Sequence, residues 1–202
     1  GYYMGTEPSG YATQVYDVTE YVNYGGDNLI CVRADATLEE GWFYEGAGIY
    51  RDAWLVKTAA VSVAPFGTFV YADLKAPYDQ ATIHVETEVN NHSLTTQQCE
   101  VSHRLLDADG GEVAKTSPTR LTLKAKQTLK IQDSSFKIQG PHLWSTTDPY
   151  LYKVETTVKV NGQVTDIYET TTGIRDIAFT ADRGFLLNGQ PLKLKGVNMH
   201  QD

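Results

Sequence analysis

The sequence predicts an all-β fold, on three observations. Its periodic segments alternate with period two, as half-buried strands do. Asn-Gly dipeptides at 161–162 and 188–189 stand between such segments, and Asn-Gly is the strongest short hairpin signal because both residues tolerate positive φ. The apolar spacing of an amphipathic helix is nearly absent.

Taken in order, the first block runs from residue 1 to about 64. It holds the alternating segments "QVYDVTEYV" and "NLICVRADAT" and the stretch "GWFYEGAGIYRDAWLVK", Gly41–Lys57, with five aromatics, three glycines and one Arg-Asp pair. Tyr50, Trp54 and Val56 continue the period-two pattern and predict a packed strand there. The Pro-Gly signal in "APFGTFV" closes the block. The second block, 65–174, carries predicted strands near 68–72, 81–90, 98–107, 112–116 and 120–132, then a hairpin over 150–172. In "ATIHVETEVN" the residues Ala81, Ile83, Val85, Thr87 and Val89 share one face, and His84, Glu86 and Glu88 lie on the other. About seven short strands in roughly a hundred residues is the pattern of an immunoglobulin-like sandwich, here without the inter-sheet cysteine pair. The third block, 175–202, is a hairpin turning at Asn188-Gly189, then "LKLKGVNMHQD". A strand end loaded with Asn198, His200 and Asp202 is where a β/α barrel keeps its chemistry.

Composition limits the partners. A net charge of -8 without a run of Lys or Arg repels a phosphate backbone, so nucleic acid is not expected. No apolar run reaches the roughly 18 residues a bilayer-spanning helix needs, and "GYYMGTEPSG" lacks the basic start and apolar core of a secretion signal, so Gly1 reads as a cut end. Cys31 and Cys99 are read as buried small apolar residues rather than a disulfide.

Four segments, "GAGIYRDAWLV", "LWSTTDPYLY", "TTGIRDIAF" and "GFLLNGQPLKLKGVNMHQD", stand in the order and spacing of glycoside hydrolase family 2, which this chain resembles over its whole length. The resemblance implies the C-terminal part of a jelly-roll (galactose-binding-like) sugar-binding domain over 1–64, an immunoglobulin-like β-sandwich over 65–174, and over 175–202 the lead-in hairpin and first strand of a truncated catalytic TIM barrel. It implies the scaffold of a retaining exo-glycosidase, a β-galactosidase before other members, acting on β-linked oligosaccharides or glycosides. The missing parts of the same polypeptide are expected as partners, and the cut sandwich invites a homo-oligomer.

The retaining mechanism needs two carboxyl groups about 5 Å apart. Glu86 and Glu88 beside His84 are read as a solvated strand face, and Glu39-Glu40 as solvated loop charges. By the resemblance, both catalytic glutamates fall beyond Asp202, as would the ligands of any divalent cation, so no cofactor is expected here. The resemblance implies that His200 lines the sugar pocket, that Asp202 contacts sugar hydroxyls as in some relatives and that Asn198 braces that loop, with Met199 and Gln201 departing from the Arg or Lys and the Glu of many relatives. Arg51, Trp42, Tyr44 and Trp144 are expected at domain interfaces, the competing reading being a glycan-stacking platform on Trp42, Phe43 and Tyr44. A carbohydrate-binding or adhesion module is the alternative to the enzyme. The compartment stays open between periplasm, extracellular space and cytoplasm.

Overall fold

The computed structural model describes residues 1–9, 11–35 and 48–198, so the expectations for Trp42, Tyr44, His200 and Asp202 lie outside the described residues. The chain divides into two units, Gly1–Leu55 with Val197–Asp202, and Val56–Gly196.

The described residues of the first unit form bends and turns but no strand. Asn28 closes one turn, its Nδ2 donating to the Asn23 carbonyl at 2.9 Å while its Oδ1 accepts from the Asn23 amide at 2.6 Å. The strands expected at "QVYDVTEYV" and "NLICVRADAT" are therefore absent among these residues. Tyr50, Trp54 and, at the start of the second unit, Val56 are exposed rather than packed. Alternation supplies one sticky face, but a strand also needs a second backbone to take up its N–H and C=O groups. Cys31 shares this fate and is exposed, against expectation, whereas Cys99 is buried as expected; both are free thiols.

The second unit is a two-sheet sandwich with a small third sheet. Its strands are β1 (Val61–Leu74), β2 (Gln80–Asn91), β3 (Gln97–Leu106), β4 (Glu112–Lys115), β5 (Thr119–Leu123), β6 (Thr128–Gln139), β7 (Tyr152–Val160), β8 (Gln163–Thr172), β9 (Ile177–Thr180), β10 (Gly184–Leu187) and β11 (Gln190–Pro191). One sheet has the order β1-β2-β6, the other β4-β3-β7-β8 with β5 also on β3, and the third β11-β10-β9. All pairings are antiparallel.

Turn chemistry sets the register. Asn161 and Gly162 have φ of 51° and 78°, Asn188 and Gly189 of 50° and 73°, the pair of positive values that a two-residue hairpin turn requires. At "DADGG" the Asp107 carboxylate accepts from the amides of Asp109 (3.0 Å) and Gly111 (2.7 Å) and holds the β3–β4 turn.

Two details differ from the sequence reading. The Pro-Gly signal at 65–67 marks a bulge inside β1, where the register with β2 shifts between Val63 and Thr68. Phe66 takes φ of 56° there, and a Cβ on Gly67 would lie 2.8 Å from the Ala64 carbonyl, so only glycine fits. The predicted strand 120–132 is two strands in different sheets. They part at Lys124–Gln127, where Lys126 carries φ of 58° without a Gly or Pro to announce it.

The core is layered. Ile83, Val85, Leu105, Phe136, Ile138, Tyr152, Val154 and Ile174 belong to one buried apolar cluster, and Val61, Val63, Val89, Val101, Leu123, Ile131 and Val158 to a second. On four strands a buried polar residue separates them: Thr87 on β2, His103 on β3, Ser134 on β6 and Thr156 on β7. His103 Nδ1 and Thr156 Oγ1 share a hydrogen bond at 3.0 Å. His103 Nε2 and Thr87 Oγ1 are buried without a hydrogen-bond partner. Burial pushes the His103 imidazole down to about 4.

Candidate functional site

Three of the four signature segments converge. The β10–β11 turn presents Asn188, whose Nδ2 donates to the Trp144 carbonyl at 3.0 Å and whose Oδ1 accepts from the Asp176 amide at 2.9 Å. The Asn188 amide donates in turn to the Asp176 carbonyl at 2.8 Å. Trp144 closes the circuit by donating its amide to Ile174 at 2.8 Å, and the Arg175 guanidinium sits 5.5 Å from the Trp144 ring centroid. Gly173 is closely packed: a Cβ there would be 3.0 Å from three atoms of the Trp144 side chain, which would have to give way. "LWSTTDPYLY", "TTGIRDIAF" and "GFLLNGQ" are thus three parts of one junction, which fastens the β9–β11 hairpin to the sandwich.

One participant had no motif to reveal it. Tyr78, in the β1–β2 turn, donates its hydroxyl to Asp176 Oδ2 at 2.8 Å, and that hydroxyl lies 2.9 Å from where a Gly189 Cβ would be. The hydrogen bond to Asp176, and burial after it, raise the Tyr78 pKa and keep the phenol protonated. The signal was spread over ninety-eight positions of sequence separation, beyond any local pattern.

The loop 141–150 is braced beside it. His142 Nε2 is 2.6 Å from Asp148 Oδ2, and its ring stacks on Tyr150 with centroids 3.9 Å apart. The His142 amide donates to the Tyr152 hydroxyl at 2.9 Å.

The polar face of β2 is not merely wetted. His84 is 3.0 Å from Asp133 and 3.3 Å from Asp73 and stacks on Tyr71, so it ties β1, β2 and β6 across the sheet. Glu86 pairs with Lys130 at 2.6 Å and raises the lysine pKa. Among the described residues, no group of three His, Cys, Asp or Glu side chains is arranged to hold a metal ion.

Of the other residues singled out in the sequence, Arg51 stacks 5.5 Å from the centroid of Tyr50 and is exposed, and Asn198 is exposed. Among the described residues singled out there, Trp144 alone enters the junction. The Asp176 carboxylate of this junction is taken up by Tyr78.

An all-β sandwich with a motif-built junction to a following hairpin is the class of fold these residues define. Residues 62–175, more than half the chain, match the family described as glycosyl hydrolases family 2, and the chain belongs to that family. It is 36% identical over its full length to the beta-galactosidase BoGH2A of Bacteroides ovatus, covering 24% of that protein. A beta-glucuronidase of Formosa agariphila is 30% identical over 97% of this chain and is covered for 22% of its own length. Among solved structures, a glycosyl hydrolase family 2 member from Bacteroides cellulosilyticus superposes with a TM-score of 0.79 at 33% identity, over 87% of this chain and 24% of that one. The Bacteroides uniformis beta-glucuronidase gives 0.76 at 28% identity, over 93% and 24%. The chain therefore spans about a quarter of the length of these relatives.

Proposed function

We infer that residues 1–202 are the scaffold of a retaining exo-glycosidase that removes terminal β-linked galactose, with both catalytic carboxylates outside this segment. The observation that carries the reading is the junction, since three signature segments are spent on fixing the hairpin that leads into "GVNMHQD". Similarity to a beta-galactosidase over the whole of this chain supports it. In this reading the residues before β1 are jelly-roll remainder, β1–β8 the sandwich, whose first strand begins ahead of the expected boundary at 64, and 175–202 the lead-in to a barrel. His200 and Asp202 line the sugar pocket, where an imidazole and a carboxylate offer directional hydrogen bonds to hydroxyls, and Asn198 braces the loop. Arg51, Trp42 and Tyr44 meet other parts of the polypeptide. The chemistry follows the two-carboxylate scheme: one attacks the anomeric carbon while the other protonates the leaving oxygen, then activates water.

Similarity to beta-glucuronidases supports a second reading of the sugar, a glucuronide. Aryl β-galactosides and aryl β-glucuronides offered to the longer polypeptide decide between them by kcat/KM. Residues 1–202 alone are expected to hydrolyse neither, and turnover by this chain that Glu86→Gln or Glu88→Gln abolishes refutes the scaffold reading. A longer polypeptide that binds β-linked glycans but cleaves none returns the question to a binding or adhesion module.

A further inference from the structure

The outer face of the β1-β2-β6 sheet carries a cavity and a pair of open aromatic rings. Cross-strand register sets three rows on this face: Asp73, Thr82 and Lys137, then Tyr71, His84 and Ser135, then Phe69 beside Glu86. They point outward because the intervening Ala81, Ile83 and Val85 are buried in the core. With the β1–β2 turn, the first row lines a cavity of about 640 Å³, a size typical of small-molecule sites. Asp73, Lys75, Asp79, Gln80, Thr82 and Lys137 contribute to its wall.

On the two large sheets many charges are spent internally, Glu86 on Lys130, Arg104 on Glu155 and Lys153 on Glu169. The side chains of Lys75, Asp79 and Lys137 enter no ion pair among the described residues. Two carboxylates and two ammonium groups give the cavity no net charge, so it favours neither an anion nor a cation, yet it offers both acceptors and donors. Hydroxyl groups use both, since each donates one hydrogen bond and accepts others. The next two rows supply an apolar surface. Asp73 reaches His84 at 3.3 Å, His84 stacks on Tyr71 with ring centroids 4.8 Å apart, and the Phe69 ring lies 5.4 Å from that of Tyr71. Phe69 is 61% and Tyr71 37% exposed, so ring surface adjoins the cavity along β1. Loss of hydration, and then Glu86, Asp133 and Asp73, raise the Tyr71 pKa and keep its phenol able to donate. A ligand that presents C–H faces to the rings and hydroxyls to the polar wall satisfies both parts at once.

We propose that this face is an oligosaccharide-binding site: the cavity walled by Asp73, Lys75, Asp79 and Lys137 takes the hydroxyls of one sugar unit, and Tyr71 and Phe69 carry the next by stacking. The ligand class is a neutral oligosaccharide, and no bond is made or broken here. A basic peptide is opposed by Lys75 and Lys137, and a phosphorylated ligand by Asp73, Asp79 and Glu86.

The test titrates residues 1–202 with cellotetraose and with β-1,4-galactotetraose while backbone amides are followed by NMR. Saturable shifts over Tyr71–Thr82 and at Lys137 are expected with at least one of them, with a Kd on the order of 1 mM and with β7, in the other sheet, unmoved as the control for folding. Tyr71→Ala is expected to weaken binding about tenfold, and Lys137→Met, which keeps the stem and removes the donors, about fivefold. In the longer polypeptide, Tyr71→Ala is expected to reduce retardation about twofold in a native gel cast with β-1,4-galactan or hydroxyethyl cellulose, whichever matches the tetrasaccharide bound. No saturable shift with either sugar, shifts confined to other residues, or equal binding by Tyr71→Ala overturns the site. Tetralysine that moves the same amides more tightly than either sugar also overturns it, and makes the face a dock for basic peptides. Unchanged retardation of the longer variant overturns it as well, because another part of that polypeptide then covers the cavity. None of these readouts involves hydrolysis, so failure of the site leaves the glycosidase reading intact, and a longer polypeptide that cleaves nothing leaves the site intact.

Discussion

Lowering the pH from 7 to 4.5 is expected to destabilise the sandwich through one imidazole, that of His103. The ring is 1% exposed, bonded to Thr156 through Nδ1 and partnerless at Nε2, and burial holds it near 4 rather than 6.5. The sign follows from linkage. Between these two values the unfolded chain binds a proton that the folded chain refuses, so the stability is fully present above 6.5 and lost as the pH falls toward 4. At about 1.4 kcal/mol per pH unit the gap amounts to about 3 kcal/mol, most of it gone by pH 4.5. Urea unfolding of residues 1–202 at pH 7, 5.5 and 4.5, followed by far-UV circular dichroism, measures it against His103→Leu. The variant leaves the Thr156 hydroxyl unpaired and starts about 1–2 kcal/mol lower at pH 7. Carboxylate titration weighs on both proteins alike, so the difference between their pH slopes isolates His103. Equal losses in the two proteins, or a folded-state His103 resonance titrating near 6.5, would refute the reasoning.

Two further outcomes test the packing. Leu105→Ala, at a fully buried position of the first cluster, is expected to cost about 2–5 kcal/mol in urea unfolding; a loss under 1 kcal/mol would mean that the two sheets close over the gap. Gly173→Ala drives a methyl into the Trp144 side chain and is expected to cost about 1–3 kcal/mol and shift the tryptophan near-UV signal. An unchanged spectrum would show that the ring has room to move.

Much of this was legible in the sequence because it was local. Strict alternation in β2 gave its buried face residue by residue, and both Asn-Gly hairpins turn where they were expected. What escaped was whatever depends on a partner elsewhere in the chain. Lys126 adopts positive φ against its type, because the crossing from β5 to β6 demands it, and so one long predicted strand is two. "QVYDVTEYV" has the alternation but no pairing backbone among the described residues. His103 stood unremarked in "CEVSHRLL" because a mid-core polar layer becomes visible only when four strands are laid side by side. Trp144 is expected at a domain interface from its motif and is found in the junction within the second unit, but Tyr78, without a motif, could be found only in three dimensions.

The bulge in β1 has a bearing on solubility. At an open sheet rim, amides in a straight row invite a foreign strand to extend the ladder. Here the row is broken: residues 64–67 kink out of line, and the Val63 amide just before them is already claimed by the Asp166 carboxylate of β8 at 2.8 Å. A bend and an occupied donor, supplied by one glycine and one aspartate, thus interrupt the row of amides along this strand.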